Sequence, residues 1–239
     1  MRNKHYSFFI IFFIVGIFTT SKAQNSSFEV LKTIPTKGKI YSELLITSDT
    51  TIVLGCHGKY VYFLDKIGNL ISKFRTNGWV HASPSELANG NIAVGCYDKN
   101  IYFFDKIGNV IDKIKPGGRI FSKIEQFADG TMVFGTNNKK IQFIDPQGNN
   151  YAFKTKKMAH GGLTIFNNHL ITGTHDKQIF VLDKNAQLQK SIPTKHWVVH
   201  SKPAILDNGM IAVGSYDRNL YIFDPKTDTL IKTKVKGRI

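Results

Sequence analysis

Two cysteines, Cys56 and Cys96, are all that the 239 residues contain. This excludes a disulfide-stapled scaffold and, at that spacing, any paired-cysteine metal site. Acids are scarce as well: 17 Asp and Glu stand against 32 Lys and Arg, for a formal charge of +15. That excess favours anionic partners, whether nucleic acid, acidic glycans, anionic surfaces or acidic proteins. Apolar residues nowhere recur at helical spacing, which argues against bundles and α/β layers. Only one long apolar run occurs, at residues 8–18, and it falls short of the roughly 20 residues that span a bilayer. What remains is the balance of a folded globular chain, 42% hydrophobic and 21% charged, with enough apolar residues to hold a fold by packing alone.

The apolar run follows Arg2 and Lys4 and precedes Ser21-Lys22-Ala23. Basic start, apolar centre and small-x-small end form a secretory signal with cleavage expected after Ala23. Residues 1–23 are therefore expected to be removed, leaving a domain at 24–239. Their loss takes away Arg2, Lys4 and Lys22 and no acid, lowering +15 to +12. No cysteine follows the run, so neither a lipoprotein anchor nor a membrane span is expected after cleavage. A periplasmic or secreted location follows, and nucleic acid is not an expected partner.

Five copies of one unit organise the rest of the chain. Residues 51–55, 91–95, 131–135, 169–173 and 210–214 are each a short apolar strand closing on glycine, and Gly55, Gly95, Gly135, Gly173 and Gly214 are spaced 40, 40, 38 and 41 residues apart. A second apolar strand follows each and ends in Asp65, Asp105, Asp145, Asp183 or Asp224, at the same intervals. Both strands are nearly continuous in apolar residues, as Ile101-Tyr102-Phe103-Phe104 illustrates, so both of their faces must be covered. Next come a turn such as Lys66-Ile67-Gly68-Asn69 and an alternating, lysine-rich segment such as 110–115, the pattern of an exposed outer strand. Before each glycine strand stands a short segment such as His81-Ala82-Ser83-Pro84 and a turn such as Asn89-Gly90. Four short strands in about 40 residues predict the blade of an all-β propeller. Five four-stranded blades are expected between residues 28 and 239. The alternative is part of a larger ring, because 28–34 and 230–235 both read as outer strands and 236–239 echo 117–120.

The run Gly-Ser-Tyr-Asp-x-x-Leu-Tyr-x-x-Asp at 214–224, its copy Gly-Cys-Tyr-Asp-x-x-Ile-Tyr-x-x-Asp at 95–105, and the Asp-x-x-Gly turns at 65–68, 105–108 and 145–148 resemble the repeat of quinoprotein-type (PQQ-like) propellers. More distantly they resemble WD-repeat blades. The resemblance covers about 28–239 and implies the propeller fold. Similarity to the exported PQQ-like propellers that hold envelope proteins together implies a non-catalytic binding or scaffolding role. Quinone-dependent enzymes of the superfamily carry a tryptophan floor, calcium ligands and a vicinal disulfide; none is recognisable here, and no cofactor is expected. The chain departs from the family pattern in the outer strand, where the tryptophan that docks neighbouring blades is replaced by Phe74, Ile114 or Lys190.

A propeller glycosidase would need two carboxylates facing each other across the channel, but Glu43, Glu86 and Glu125 fall at different positions of the unit. Nucleophile-elbow, phosphate-loop and metal-helix motifs are missing too, so the chain is not expected to be an enzyme. The alternative is a metal-dependent activity. Counted from the blade glycines, Tyr41, His81, Phe121, His160 and His200 share a column at the start of the inner strand. His81, His160 and His200 are the candidate metal ligands, against a column of planar side chains packing around the neck. Cys56 and Cys96 share a small, buried column with Thr136, Thr174 and Ser215, while Asp98, Asp176 and Asp217 read as turn formers. A basic column stands apart: Lys59, Lys99, Lys139, Lys177 and Arg218 lie four residues after each glycine. The linkers between blades carry Trp79 and Trp197 among Lys37, Lys39, Arg75, Arg119, Lys156, Lys157 and Lys195. Turn and linker leave a four-stranded blade on one face. The expected ligand site is therefore Lys59, Lys99, Lys139, Lys177, Arg218, Trp79, Trp197 and Arg119. Envelope or extracellular proteins, acidic glycans or anionic surfaces are the expected partners, with the tryptophans suited to sugar rings.

Overall fold

The computed structural model describes residues 32–239. The segment expected to be a signal, 1–23, and the first part of the candidate outer strand at 28–34 lie outside the described residues, and 32–35 carry no strand. From residue 45 onward the chain makes five four-stranded antiparallel sheets, each built from strands consecutive in sequence. They span 45–75, 85–114, 125–154, 163–193 and 204–234. These are the five blades of a β-propeller, and residues 230–234 form the outer strand of the fifth. Among the described residues no helix is long and apolar enough to cross a membrane.

The continuous apolar strands are explained by their position between neighbours. Alternate residues of the second and third strands point to opposite sides of a blade, and each side meets another blade. Val53, Val61 and Phe63 of blade 1 pack with Val94, Tyr102 and Phe104 of blade 2, whereas Ala93, Ile101 and Phe103 of blade 2 turn the other way, against Phe134 and Ile144 of blade 3. Two further clusters join blades 3 and 4 and blades 4 and 5. Each fully buried large side chain contributes roughly 1.5–3 kcal/mol, so these four layers dominate the stability. No such cluster joins blade 5 to blade 1 among the described residues, and Ile40, in the linker place held later by Val80 and Ile120, is 42% exposed.

Each glycine strand ends in glycine because the next linker lies directly on it. A Cβ on Gly95 would stand 2.4 Å from Cγ2 of Ile120, and one on Gly214 2.1 Å from Cγ2 of Ile239. The echo of 117–120 in 236–239 is thus structural, with Ile239 seated on blade 5 as Ile120 is on blade 2. The repeated aspartates close the turn into the outer strand: Asp105 Oδ1 accepts from the backbone N–H groups of Ile107 (3.0 Å) and Asn109 (2.8 Å), and Oδ2 from the Asn109 amide (2.8 Å).

One reading needs correction. The residue that replaces the docking tryptophan in blade 4 is Ile192, not Lys190. Phe74, Ile114, Phe153 and Ile192 stand opposite Val61, Ile101, Ile141 and Ile179, and all four pack into or against the inter-blade clusters. Lys190 stands opposite Val181, two residues before Ile192 in the same strand, and its half-buried ammonium pairs with Asp228 at 3.7 Å.

Candidate binding face

The second and third strands of each blade are joined by a short loop, such as His57-Gly58-Lys59 between the paired Cys56 and Tyr60. The residue four after the blade glycine takes the left-handed conformation in every one: φ is 67° at Lys59, 73° at Lys99, 64° at Lys139, 62° at Lys177 and 64° at Arg218. Glycine or asparagine is the economical choice there. Five exposed cations hold the position instead.

The linkers lie beside these loops. Thr76, Thr155, Thr194 and Val235 donate their backbone N–H to the carbonyls of Lys59, Lys139, Lys177 and Arg218 at 2.8–2.9 Å. The basic column and the basic linkers therefore share one face, as expected. A second set of bonds orders that face into a ring: the N–H of His57, Tyr97, Asn137, His175 and Tyr216 donates to the carbonyl of Lys39, Trp79, Arg119, Met158 and Trp197, at 2.9, 2.9, 3.1, 3.2 and 3.0 Å. Asp98, Asp176 and Asp217 tie loop to linker, accepting from the N–H of Asn77 (3.1 Å), Lys156 (2.7 Å) and Lys195 (2.9 Å). Tyr102 and Tyr221 donate their hydroxyls to Asp98 and Asp217 at 2.7 and 2.6 Å. Burial alone would raise these two carboxyls, but the hydrogen bonds prevail, holding Asp98 below its usual range and Asp217 at about 2.

Inside the ring, Tyr41, His81, Phe121, His160 and His200 line one cavity of about 170 Å³ at the hub, so the structure brings the whole predicted column together. Six of the chain's eight histidines and both tryptophans lie on or inside this ring. Ring centroids are 4.7 Å apart for His160 and His200 and 5.8 Å for His81 and His160. His57 Nε2 and His81 Nδ1 share a hydrogen bond of 3.0 Å. Burial, and then the neighbouring imidazoles of His200, His81 and His175, push His160 down to about 3; burial also lowers His57, His81 and His175. His57, His81, His160 and His175 are therefore uncharged at pH 7, while the loop cations stand exposed on the rim.

His160 meets His200 edge-on, with planes 75° apart, and His81 at a tilt of 55°, and no group of three His, Cys, Asp or Glu side chains among the described residues is arranged to hold a metal ion. Across the same cavity Glu125 pairs with Lys202 at 3.0 Å, while Glu86 accepts from the N–H and hydroxyl of Ser48 at 2.8 and 2.6 Å. Cys56 and Cys96 are free and buried, and burial pushes the Cys96 thiol up to about 11.

His57, Tyr97, His175, His196, Tyr216 and Arg238 belong to this face but were not singled out from sequence. The signal was available: four of them stand two residues after a blade glycine, two residues before the column of cations.

Five four-stranded blades around an aromatic hub define a β-propeller. No protein-family profile and no curated protein matches the chain at the level of sequence. Among solved structures it is similar to BamB from Moraxella catarrhalis, with a TM-score of 0.70 and 13% identity over 86% of this chain and 65% of that one. The chain thus spans just under two thirds of the length of that protein, and the likeness is one of fold.

Proposed function

We propose that this chain is an exported, non-catalytic binding propeller that engages an anionic partner at the cell envelope through its turn-and-linker face. The observation that carries the reading is the left-handed cation in all five loops. A side chain kept five times where it strains the backbone is retained for its charge. Further support comes from the ion pairs of the described residues, which involve Lys106, Lys184, Lys190 and Lys202 and no rim cation. The similarity to BamB favours an envelope protein, and the charge favours an acidic glycan, surface or protein as its partner.

Retention on an anionic matrix tests this. The wild type is expected to bind at low salt and to elute steeply towards physiological salt, since exposed charges act collectively and are screened. The triple variant Lys59→Glu, Lys99→Glu, Lys139→Glu is expected to flow through with its melting temperature nearly unchanged. Equal retention of the two proteins overturns the reading.

A further inference from the structure

The ring of loop and linker residues is not uniform. Read around the face it runs His57, Trp79, Tyr97, Arg119, then Asn137 and Met158, then His175, Trp197, Tyr216, Arg238. One four-residue order, His-Trp-Tyr-Arg, occurs twice, and the blade between lacks it. The propeller repeat does not require this, because Asn137 and Met158 make the same backbone bonds as their aromatic counterparts.

The two copies share their contacts, differing in the tilt of the imidazole on the indole, 13° at Trp79 and 48° at Trp197. Arg119 lies over the Tyr97 ring at 5.9 Å and Arg238 over Tyr216 at 5.7 Å. Cys96 Sγ and Ser215 Oγ each donate to the tryptophan carbonyl at 3.4 Å. His57 stacks on Trp79 at 4.7 Å with planes 13° apart, and His175 lies 4.8 Å from Trp197. An imidazole thus backs each indole, which is held in place yet 48% exposed at Trp79 and 37% at Trp197. Next to Trp79 opens a cavity of about 280 Å³ lined by Lys59, Tyr97, Asp98 and Arg119. Asp98 accepts from the backbone and from Tyr102 and stays ionised, so two cations, Lys59 and Arg119, face one carboxylate in the cavity and leave it net positive. The volume sits at the small end of the roughly 300–1,000 Å³ of ligand pockets, the size for one ring rather than a cofactor.

We infer that Trp79-Tyr97-Arg119 and Trp197-Tyr216-Arg238 are two copies of one subsite for an acidic sugar, and that the ligand is a polysaccharide bearing carboxylates. A fixed, half-exposed indole offers a flat apolar platform to the C–H face of a pyranose. A guanidinium at its side matches a carboxylate with two parallel hydrogen bonds. Two like subsites on one face suit a polymer of like units and add through effective concentration. Single-stranded nucleic acid would call for consecutive stacking platforms along a groove, and Asn137 and Met158 interrupt this ring. The inference rests on the reading of the face as an anion-binding surface.

The test is tryptophan fluorescence and calorimetry with polygalacturonate, its methyl ester, polyglutamate and single-stranded DNA as probes. Polygalacturonate is expected to quench the wild type and to bind at least tenfold more tightly than the other three. Trp79→Ala or Trp197→Ala should each weaken it about tenfold and the double variant about a hundredfold, with polyglutamate binding unchanged. Arg119→Gln with Arg238→Gln provides the same comparison should the tryptophan variants fail to fold. If the double variants bind polygalacturonate like the wild type while the triple lysine reversal does not, the sugar subsites are refuted and the anionic face stands. If the lysine reversal also binds, both fall. Tighter binding of DNA or polyglutamate than of polygalacturonate overturns the ligand class.

Discussion

Replacing the five loop cations by glycine separates charge from fold. An L-residue in the left-handed region costs roughly 1–2 kcal/mol, and glycine removes that cost while losing about 0.5–1 kcal/mol of backbone entropy. At φ between 62° and 73° each of Lys59→Gly, Lys99→Gly, Lys139→Gly, Lys177→Gly and Arg218→Gly should therefore stabilise the protein by about 0.5–1 kcal/mol. The loops lie in separate blades and share no partner, so the effects should add, to about 2.5–5 kcal/mol for all five. Urea unfolding measures this as a rise in midpoint with unchanged slope, and retention on an anionic matrix measures the other half. A protein that becomes more stable and loses its affinity is the expected result, a trade-off between stability and function. Glycine variants less stable than the wild type would refute the strain argument, because the long side chains would then be supporting the fold.

Acid should weaken the hub. The unfolded chain binds the His160 proton near 6.5 and the folded one only near 3, so between those values the unfolded state holds more protons and stability falls as pH falls. By pH 5 the deficit from His160 is about 2 kcal/mol, and His160→Phe, which copies Phe121, should flatten the fall in melting temperature between pH 7 and 5. An unchanged slope would locate the pH dependence elsewhere. Cys56 and Cys96 should resist a thiol reagent at pH 8 in the native protein and react in urea, given their burial and the raised Cys96 thiol; native reactivity would show the blade interface to be open. Gly135→Ala should cost more than Gly95→Ala, because the new Cβ meets the Ala159 carbonyl oxygen at 2.3 Å in the first case and the side chain of Ile120 at 2.4 Å in the second. Overpacking of this kind costs about 1–3 kcal/mol, and chemical denaturation ranks the two.

The blades were legible because their punctuation is local and repeats. Glycine where a linker crosses, aspartate where a turn closes and unbroken apolar strands between them are each demanded by short-range geometry, and five copies make coincidence untenable. The outer strand of blade 4 was less legible. An exposed strand constrains one face only, so Lys190 and Ile192, two apart and on the same side, both fit the pattern. The period decides between them: Phe74, Ile114 and Ile192 each stand nine residues after their blade aspartate, and Lys190 only seven after Asp183.

In the binding face, legibility depended on whether a column is uniform. The cations stand out because every blade has one, but their strain is hidden: glycine and asparagine signal a left-handed loop, and lysine does not. The ring residues failed the opposite way, since His57, Tyr97, Asn137, His175 and Tyr216 share a column with no common chemistry. A column the fold depends on keeps its residue in every blade, as the glycines do. One that varies while keeping its backbone bond is free to serve a ligand, and its variation becomes informative once that bond sets Tyr97 beside Trp79 and Tyr216 beside Trp197. In a repeat protein the search for a site therefore runs through the positions that break the repeat without breaking its hydrogen bonds.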